Sequence, residues 1–214
     1  MAIIPGGILS GPNGTVGAVI TYNLNGQIVM RGKRRASNKA PSLPQLQSRM
    51  QMGILTLFVN KMKGFIKTGF GGLARGTTLN YHNLAIRYNK NHATIGEYPD
   101  IAIAYDQIIL SKGNLEQAIN PAVARVEDGL KFTWDCPSRI ESSFRTDQVM
   151  MLAYSPEMDK SIFIDAGARR RKEEDFLILP SFMQEKQLEV YIAFVANDRL
   201  QAADSMYLGS ISPV

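Results

Sequence analysis

The hydrophobic period of this chain changes once, near residues 95–100, and the change divides what can be built on either side. Before it, apolar residues recur at helical spacing behind a β-prone hairpin. Beyond it, helical periodicity disappears and short runs alternate with period two. Gly96 and Pro99 lie at the boundary. The charges change at the same place. Residues 1–96 hold 12 Lys and Arg and no Asp or Glu, whereas residues 97–214 hold 12 basic and all 19 acidic residues, giving +12 and −7 within a net +5.

The β-prone part runs from Thr15 to Tyr22, meets Asn25-Gly26, and returns through Gln27 to Arg31. Asn-Gly tolerates the positive φ angles of a type I′ turn, so a hairpin is expected. Its strand-pairing residues are Val16, Val19, Ile20, Tyr22, Ile28 and Met30. Val16, Ile20 and Tyr22 would share one face, opposite Ile28 and Met30. Two strands alone are marginal in water, so the hairpin must dock on the rest of the chain or on another copy. Residues 1–14 carry four glycines and two prolines and read as an extended arm anchored by Ile3, Ile4, Ile8 and Leu9, with a turn at Pro12-Asn13-Gly14. Gly11, Gly14 and Gly17 lack the Gly-Lys-Ser/Thr ending of a phosphate loop.

A basic linker follows. Arg31, Lys33, Arg34, Arg35 and Lys39, with Lys61, Lys63 and Lys67 further on, form a candidate phosphate-contacting patch. The linker cations also suit a solvated strand end that discourages edge pairing. A helix is expected from Ser42 to about Ile66. Pro44 sits in its first turn, and Leu43, Leu46, Met50, Ile54, Leu57, Phe58, Met62 and Phe65 form one apolar stripe. Gly69, Gly71, Gly72 and Gly76 then suggest a flexible break, and Thr78 a cap for a second helix over 79–91. Aromatic residues here could stack bases, but most fall on the apolar stripes and suit a core.

In the second half, strands are expected at 101–103, 107–110, 122–126, 130–134, 148–154, 161–164, 176–179, 188–196 and 205–211. Seven short strands after Asn120 suggest an antiparallel β-sandwich. Val190, Ile192 and Phe194 alternate with Tyr191, Ala193 and Val195, a strand apolar on both sides. Without cysteine pairs, a fibronectin type III-like module is a better analogue than an antibody domain. The fold class is therefore α+β, in three parts: 1–40 as arm, hairpin and basic linker, 41–96 as a basic helical region, and 97–214 as the sandwich.

No reaction is written in these residues. Cys136 is the one cysteine, which excludes an internal disulfide and a multi-cysteine metal site. It reads as a small buried residue. His82 and His92 lie ten apart, without the spacing of a zinc pair. The run from Ala168 to Asp175, four cations followed by three acids, reads as a solvated loop. Asp135, Asp147, Asp159 and Asp165 have no calcium-loop spacing. There is no apolar run long enough for a membrane span and no positively charged, continuously apolar start of a secretory signal. Cytoplasmic synthesis is expected, with release as part of an assembly still open.

Several segments together resemble an uncharacterised family of bacterial proteins over nearly the full chain. They are Gly14-Thr15-Val16-Gly17-Ala18-Val19 with Asn25-Gly26 and Arg31, the helix start Gln45-Leu46-Gln47-Ser48-Arg49, Ala153-Tyr154-Ser155-Pro156, and the ending Tyr207-Leu208-Gly209-Ser210. Similar members usually carry an aromatic residue before a lysine-glycine turn, where this chain has Leu24-Asn25-Gly26. The family is one of unknown function, so the resemblance implies no catalytic residues. The segment from Pro41 to Arg49 is also similar to segments of bacteriophage structural proteins.

Charge polarity and a hairpin in need of a partner suggest a non-enzymatic structural protein that self-assembles into a filament, ring or virion- or appendage-like particle, its partners being other copies of itself. The alternative is a nucleic-acid-binding protein using the basic half. Neither needs a cofactor or a small-molecule substrate.

Overall fold

A computed structural model describes residues 2–4, 13–24, 26–35, 38–136 and 146–213. They form two compact units, 1–42 and 43–214. The fold is α+β, as expected.

The first unit is a four-stranded antiparallel sheet in the order β1-β4-β3-β2, built from β1 (Ala2–Ile4), β2 (Gly14–Val16), β3 (Val19–Leu24) and β4 (Gln27–Gly32). The run from Thr15 to Tyr22 is thus two strands rather than one. Gly17, at φ 58°, reverses the chain so that Val16 pairs with Val19 and Thr15 with Ile20. A residue without Cβ enters this left-handed region at no steric cost, which is why the strand folds back on itself here. Val16 and Ile20 therefore do not share one strand face. The second turn is where Asn-Gly predicts it: Gly26 has φ 87° and its N–H donates to Asn23 Oδ1 at 2.7 Å. Asn25, the turn Pro12, the arm anchors Ile8 and Leu9, and linker residues 36 and 37 lie outside the described residues.

The second unit begins with helices α1 (Leu43–Lys61), α2 (Lys63–Ala74) and α3 (Tyr81–Asn89). α1 ends at Lys61, and the non-helical backbone of Met62 separates it from α2. Leu55, Phe58, Val59 and Met62 are buried, whereas Leu43 and Leu57 of the expected stripe are exposed. The glycines after Phe65 do not make a flexible break. α2 runs through Gly69, Gly71 and Gly72, because two of them let the helix touch neighbouring chain: a Cβ on Gly69 would lie 2.7 Å from the Ser111 Cβ, and one on Gly72 would run into the Leu200 carbonyl oxygen. α3 is capped by Asn80 rather than Thr78; the Asn80 side chain accepts the Asn83 N–H at 2.8 Å. Of residues 107–110, expected as a strand, Gln107 ends a 3₁₀ turn over Tyr105–Gln107 and the rest are irregular, while β5 (Thr94–Ile95) pairs with β6 (Ala102–Ile103). Buried Asn89 holds the irregular segment, accepting the Ile109 N–H and donating to the Ile109 carbonyl, each at 2.7 Å.

The remaining strands are β7 (Ile119–Val126), β8 (Gly129–Asp135), β9 (Gln148–Ser155), β10 (Lys160–Ile164), β11 (Glu174–Ile178), β12 (Leu188–Val195) and β13 (Met206–Ile211), with a short helix α4 (Ser181–Gln184) before β12. They form a four-stranded sheet, β10-β9-β12-β13, and a three-stranded sheet, β11-β8-β7. Taking the seven as A to G, the sheets read A-B-E and D-C-F-G. In constant-type immunoglobulin domains the fourth strand joins A-B-E; here it pairs with the third strand, a fibronectin type III-like order in a sandwich-like arrangement.

β9 and β12 show why one strand is apolar on both sides. Val149, Met151, Ala153, Val190, Ile192 and Phe194 pack with Leu130, Phe132, Trp134 and Leu177 of the three-stranded sheet. The alternate residues Met150, Leu152, Tyr154, Tyr191, Ala193 and Val195 pack with Phe58, Val59, Phe65, Ile66 and Phe70 of the helices. Three layers result, helices on the four-stranded sheet on the three-stranded sheet. The helical and strand-rich stretches thus share one unit, with two cores divided by the two-residue period of the central strands.

Candidate assembly surface and buried arginine centre

Among the residues of the first unit whose burial is described, Thr21 and Val29 are the buried ones. Among the described residues its outer strands β1 and β2 pair on one side only, and every residue of β2 is exposed. Of the strand-pairing residues, Val16 is 66% exposed on the β2 edge. Val19, Ile20, Tyr22, Ile28 and Met30 are half-buried inside the sheet on β3 and β4. Tyr22 pairs with Val29, and Thr21 with Met30.

The basic residues fall into two groups. Arg31 lies one residue before the end of β4, with its guanidinium 5.4 Å from the Tyr22 ring centroid. Lys33 is tied to the sheet by its N–H, which donates to the Ala18 carbonyl at 2.8 Å, while the side chains of Lys33, Arg34 and Arg35 are exposed. Lys39 is exposed nearby in sequence. Lys61, Lys63 and Lys67 belong to the second unit. Lys61 pairs with Asp159 at 2.6 Å, and that ammonium holds the Asp159 carboxyl below its ordinary range. Asp159 also accepts the Tyr154 hydroxyl at 3.0 Å, so an acid of the second half neutralises a helix lysine.

The unit boundary changes the charge account. Residues 1–42 contain five basic residues (Arg31, Lys33, Arg34, Arg35, Lys39) and no acid. The other 19 basic residues (24 − 5) meet all 19 acids in residues 43–214, which are formally neutral. The charge of the first unit therefore equals the whole net charge of +5.

The run from Ala168 to Asp175 is not simply solvated. It forms a 3₁₀ turn over Arg170–Lys172, and Arg170 is 0% exposed. Its guanidinium lies 3.7 Å from the Phe194 ring centroid and donates to the Glu116 carbonyl at 2.7 Å and the Gln117 carbonyl at 3.0 Å. Asp147, also buried, lies 3.5 Å from Arg170 Nη2. Burial pushes the Asp147 carboxyl up to about 6, against the opposing pull of Arg170. Trp134 donates its indole N–H to the Arg170 carbonyl at 2.6 Å and meets Phe194 edge-on. Four consecutive cations gave no sign that one of them turns inward. The arrangement joins the 3₁₀ turn, the segment before β7 and both sheets. Cys136, expected buried, is half-exposed, and its N–H donates to Glu173 Oε1 at 3.0 Å. His82 bonds with Asn60 at 3.1 Å. Among the described residues no three His, Cys, Asp or Glu side chains are placed to hold a metal ion, and no helix is long and apolar enough to cross a membrane.

A family model for DUF6266, a family of unknown function, matches residues 11–209. The chain belongs to this family. The match covers the first sheet from β2 onward, the helices and nearly the whole sandwich of this DUF6266 protein. A comparison with curated proteins finds no match. Nothing found supports the likeness of the 41–49 segment to bacteriophage structural proteins.

Proposed function

We propose that this DUF6266 protein is a non-enzymatic structural protein whose N-terminal sheet joins copies of the chain into a larger assembly. The observation that carries the reading is the first unit itself: four strands with two buried residues among those whose burial is described, two outer strands paired on one side only among the described residues, and five basic residues with no acid in the unit. A sheet of about 40 residues buries too little apolar surface to stand alone, and units of that size usually rely on a disulfide, a metal or oligomerisation. An exposed strand edge is also a ready template for pairing with another chain. The second unit, by contrast, has two cores of its own. Removing residues 1–42 is expected to abolish assembly while leaving a cooperatively folding second unit, read by light scattering and by thermal unfolding. An assembly of unchanged size from the shortened chain would sink the proposal.

A second reading rests on Lys33, Arg34 and Arg35, three exposed cations in a unit without acids. Such a patch suits phosphate contacts, and binding through it would weaken steeply with salt. Arg34→Ala with Arg35→Ala would then lower affinity for a single-stranded oligonucleotide; unchanged affinity would remove this reading.

A further inference from the structure

We infer that the outer end of the three-stranded sheet is the surface on which the N-terminal sheet of a second copy docks; this rests on the assembly reading above. The hairpin turn between β7 and β8 and the end of β11 frame two adjoining depressions, of about 390 and 370 Å³. Their apolar wall is Val126, Phe176 and Ile178, all exposed, with Ile178 at 72%. The register explains why. Ile178 pairs with Gly129, as does Val126 from the other side, so two large side chains flank a position with none. Three exposed carboxylates, Glu127, Asp128 and Glu185, surround this wall, and among the described residues none of them forms an ion pair. The cations nearby are engaged: Lys131 pairs with Glu174 at 2.7 Å, and the Arg125 guanidinium donates to the Gln184 and Lys186 carbonyls.

The first unit carries the complement. Val16 pairs with Val19, and Val19 pairs with Gly32, so these residues lie in line across the sheet. The exposed apolar Val16 is therefore at the end of the sheet from which Lys33, Arg34 and Arg35 continue. One surface offers an apolar anchor beside three cations, and the other an apolar wall beside three carboxylates. Complementary charge of this kind sets partner choice and register. Because the two surfaces differ, the contact is head-to-tail and extends into a ring or a filament.

Charge reversal tests this in the full-length chain, with light scattering as the readout and circular dichroism as a check of folding. One variant carries Lys33→Glu, Arg34→Glu and Arg35→Glu; the other carries Glu127→Lys, Asp128→Lys and Glu185→Lys. Each alone sets like charges against each other and is expected to weaken association roughly a hundredfold or more. Mixed in equal amounts, the two are expected to reassemble, since each reversed surface then meets its opposite. Recovery on mixing cannot come from misfolded chains. If the carboxylate variant assembles like wild type while the wild type is a multimer, this docking surface is wrong and the assembly reading stands. A mixture that stays dissociated also overturns it. A wild type of single-chain mass at every concentration overturns both.

Discussion

Replacing Arg170 by Met tests the structural account of the second unit at its least expected residue. The guanidinium is fully buried, stacked 3.7 Å from the Phe194 centroid and bonded to two backbone carbonyls, with Asp147 at 3.5 Å. Methionine has a similar reach and keeps much of the packing on Phe194, so the loss is mainly electrostatic. It leaves the Glu116 and Gln117 carbonyls without their donors and Asp147 without its countercharge. Breaking a buried pair by removing one partner costs about 3–5 kcal/mol. For a unit of this size each kcal/mol lowers Tm by about 2–4 °C, so a fall on the order of 6–20 °C is expected. The assay is urea and thermal unfolding at pH 7 followed by fluorescence of Trp134, the single tryptophan, whose indole is bonded to the Arg170 carbonyl. Adding Asp147→Leu should recover part of the loss, because the orphaned carboxyl goes with it. A single variant within about 1 kcal/mol of wild type would refute the claim that this guanidinium ties the turn to the sandwich.

Asp147 predicts a pH effect of defined sign. Its folded carboxyl titrates at about 6, above its ordinary value, so its contribution is fully present below about pH 4 and is lost as pH rises through 6. Unfolding free energy should fall over that window in wild type, and Asp147→Asn should flatten this part of the curve; an unchanged slope would contradict the assignment. Two glycines of the helices should respond with opposite signs. Gly69→Ala forces a Cβ against Ser111 and should cost about 1–3 kcal/mol, whereas Gly53→Ala meets nothing within 4 Å and should stabilise α1 by up to about 1 kcal/mol in denaturant titrations. The Lys61–Asp159 pair is partly exposed, so a double-mutant cycle should give at most about 1 kcal/mol.

Much of the fold was legible because alternation reports burial directly. The seven strands of the sandwich, the Asn-Gly turn and the two-sided strand around Val190–Val195 follow from period two and turn chemistry. What misled was residue type read without its partner. Glycines at 69 and 72 looked like a hinge because close approach to Ser111 and Leu200 is written in residues far along the chain. Gly17 looked like part of a strand because its turn depends on φ, not on apolarity. Arg170 looked solvated because its neighbours in sequence are, while its neighbours in space are Asp147, Trp134 and Phe194. The acid-free first half was visible at once; that residues 43–214 are formally neutral, so that the chain's net +5 equals the charge of residues 1–42, needed the boundary at Ser42.

The most direct measurement of the central claim is light scattering behind size exclusion on the full-length protein, over a range of concentrations, at low and high salt, with the 260/280 nm absorbance ratio recorded. Self-assembly predicts protein-only particles at multiples of the 23.7 kDa chain, growing with concentration and shrinking at high salt. A single species of 23.7 kDa at every concentration and both salts would contradict it.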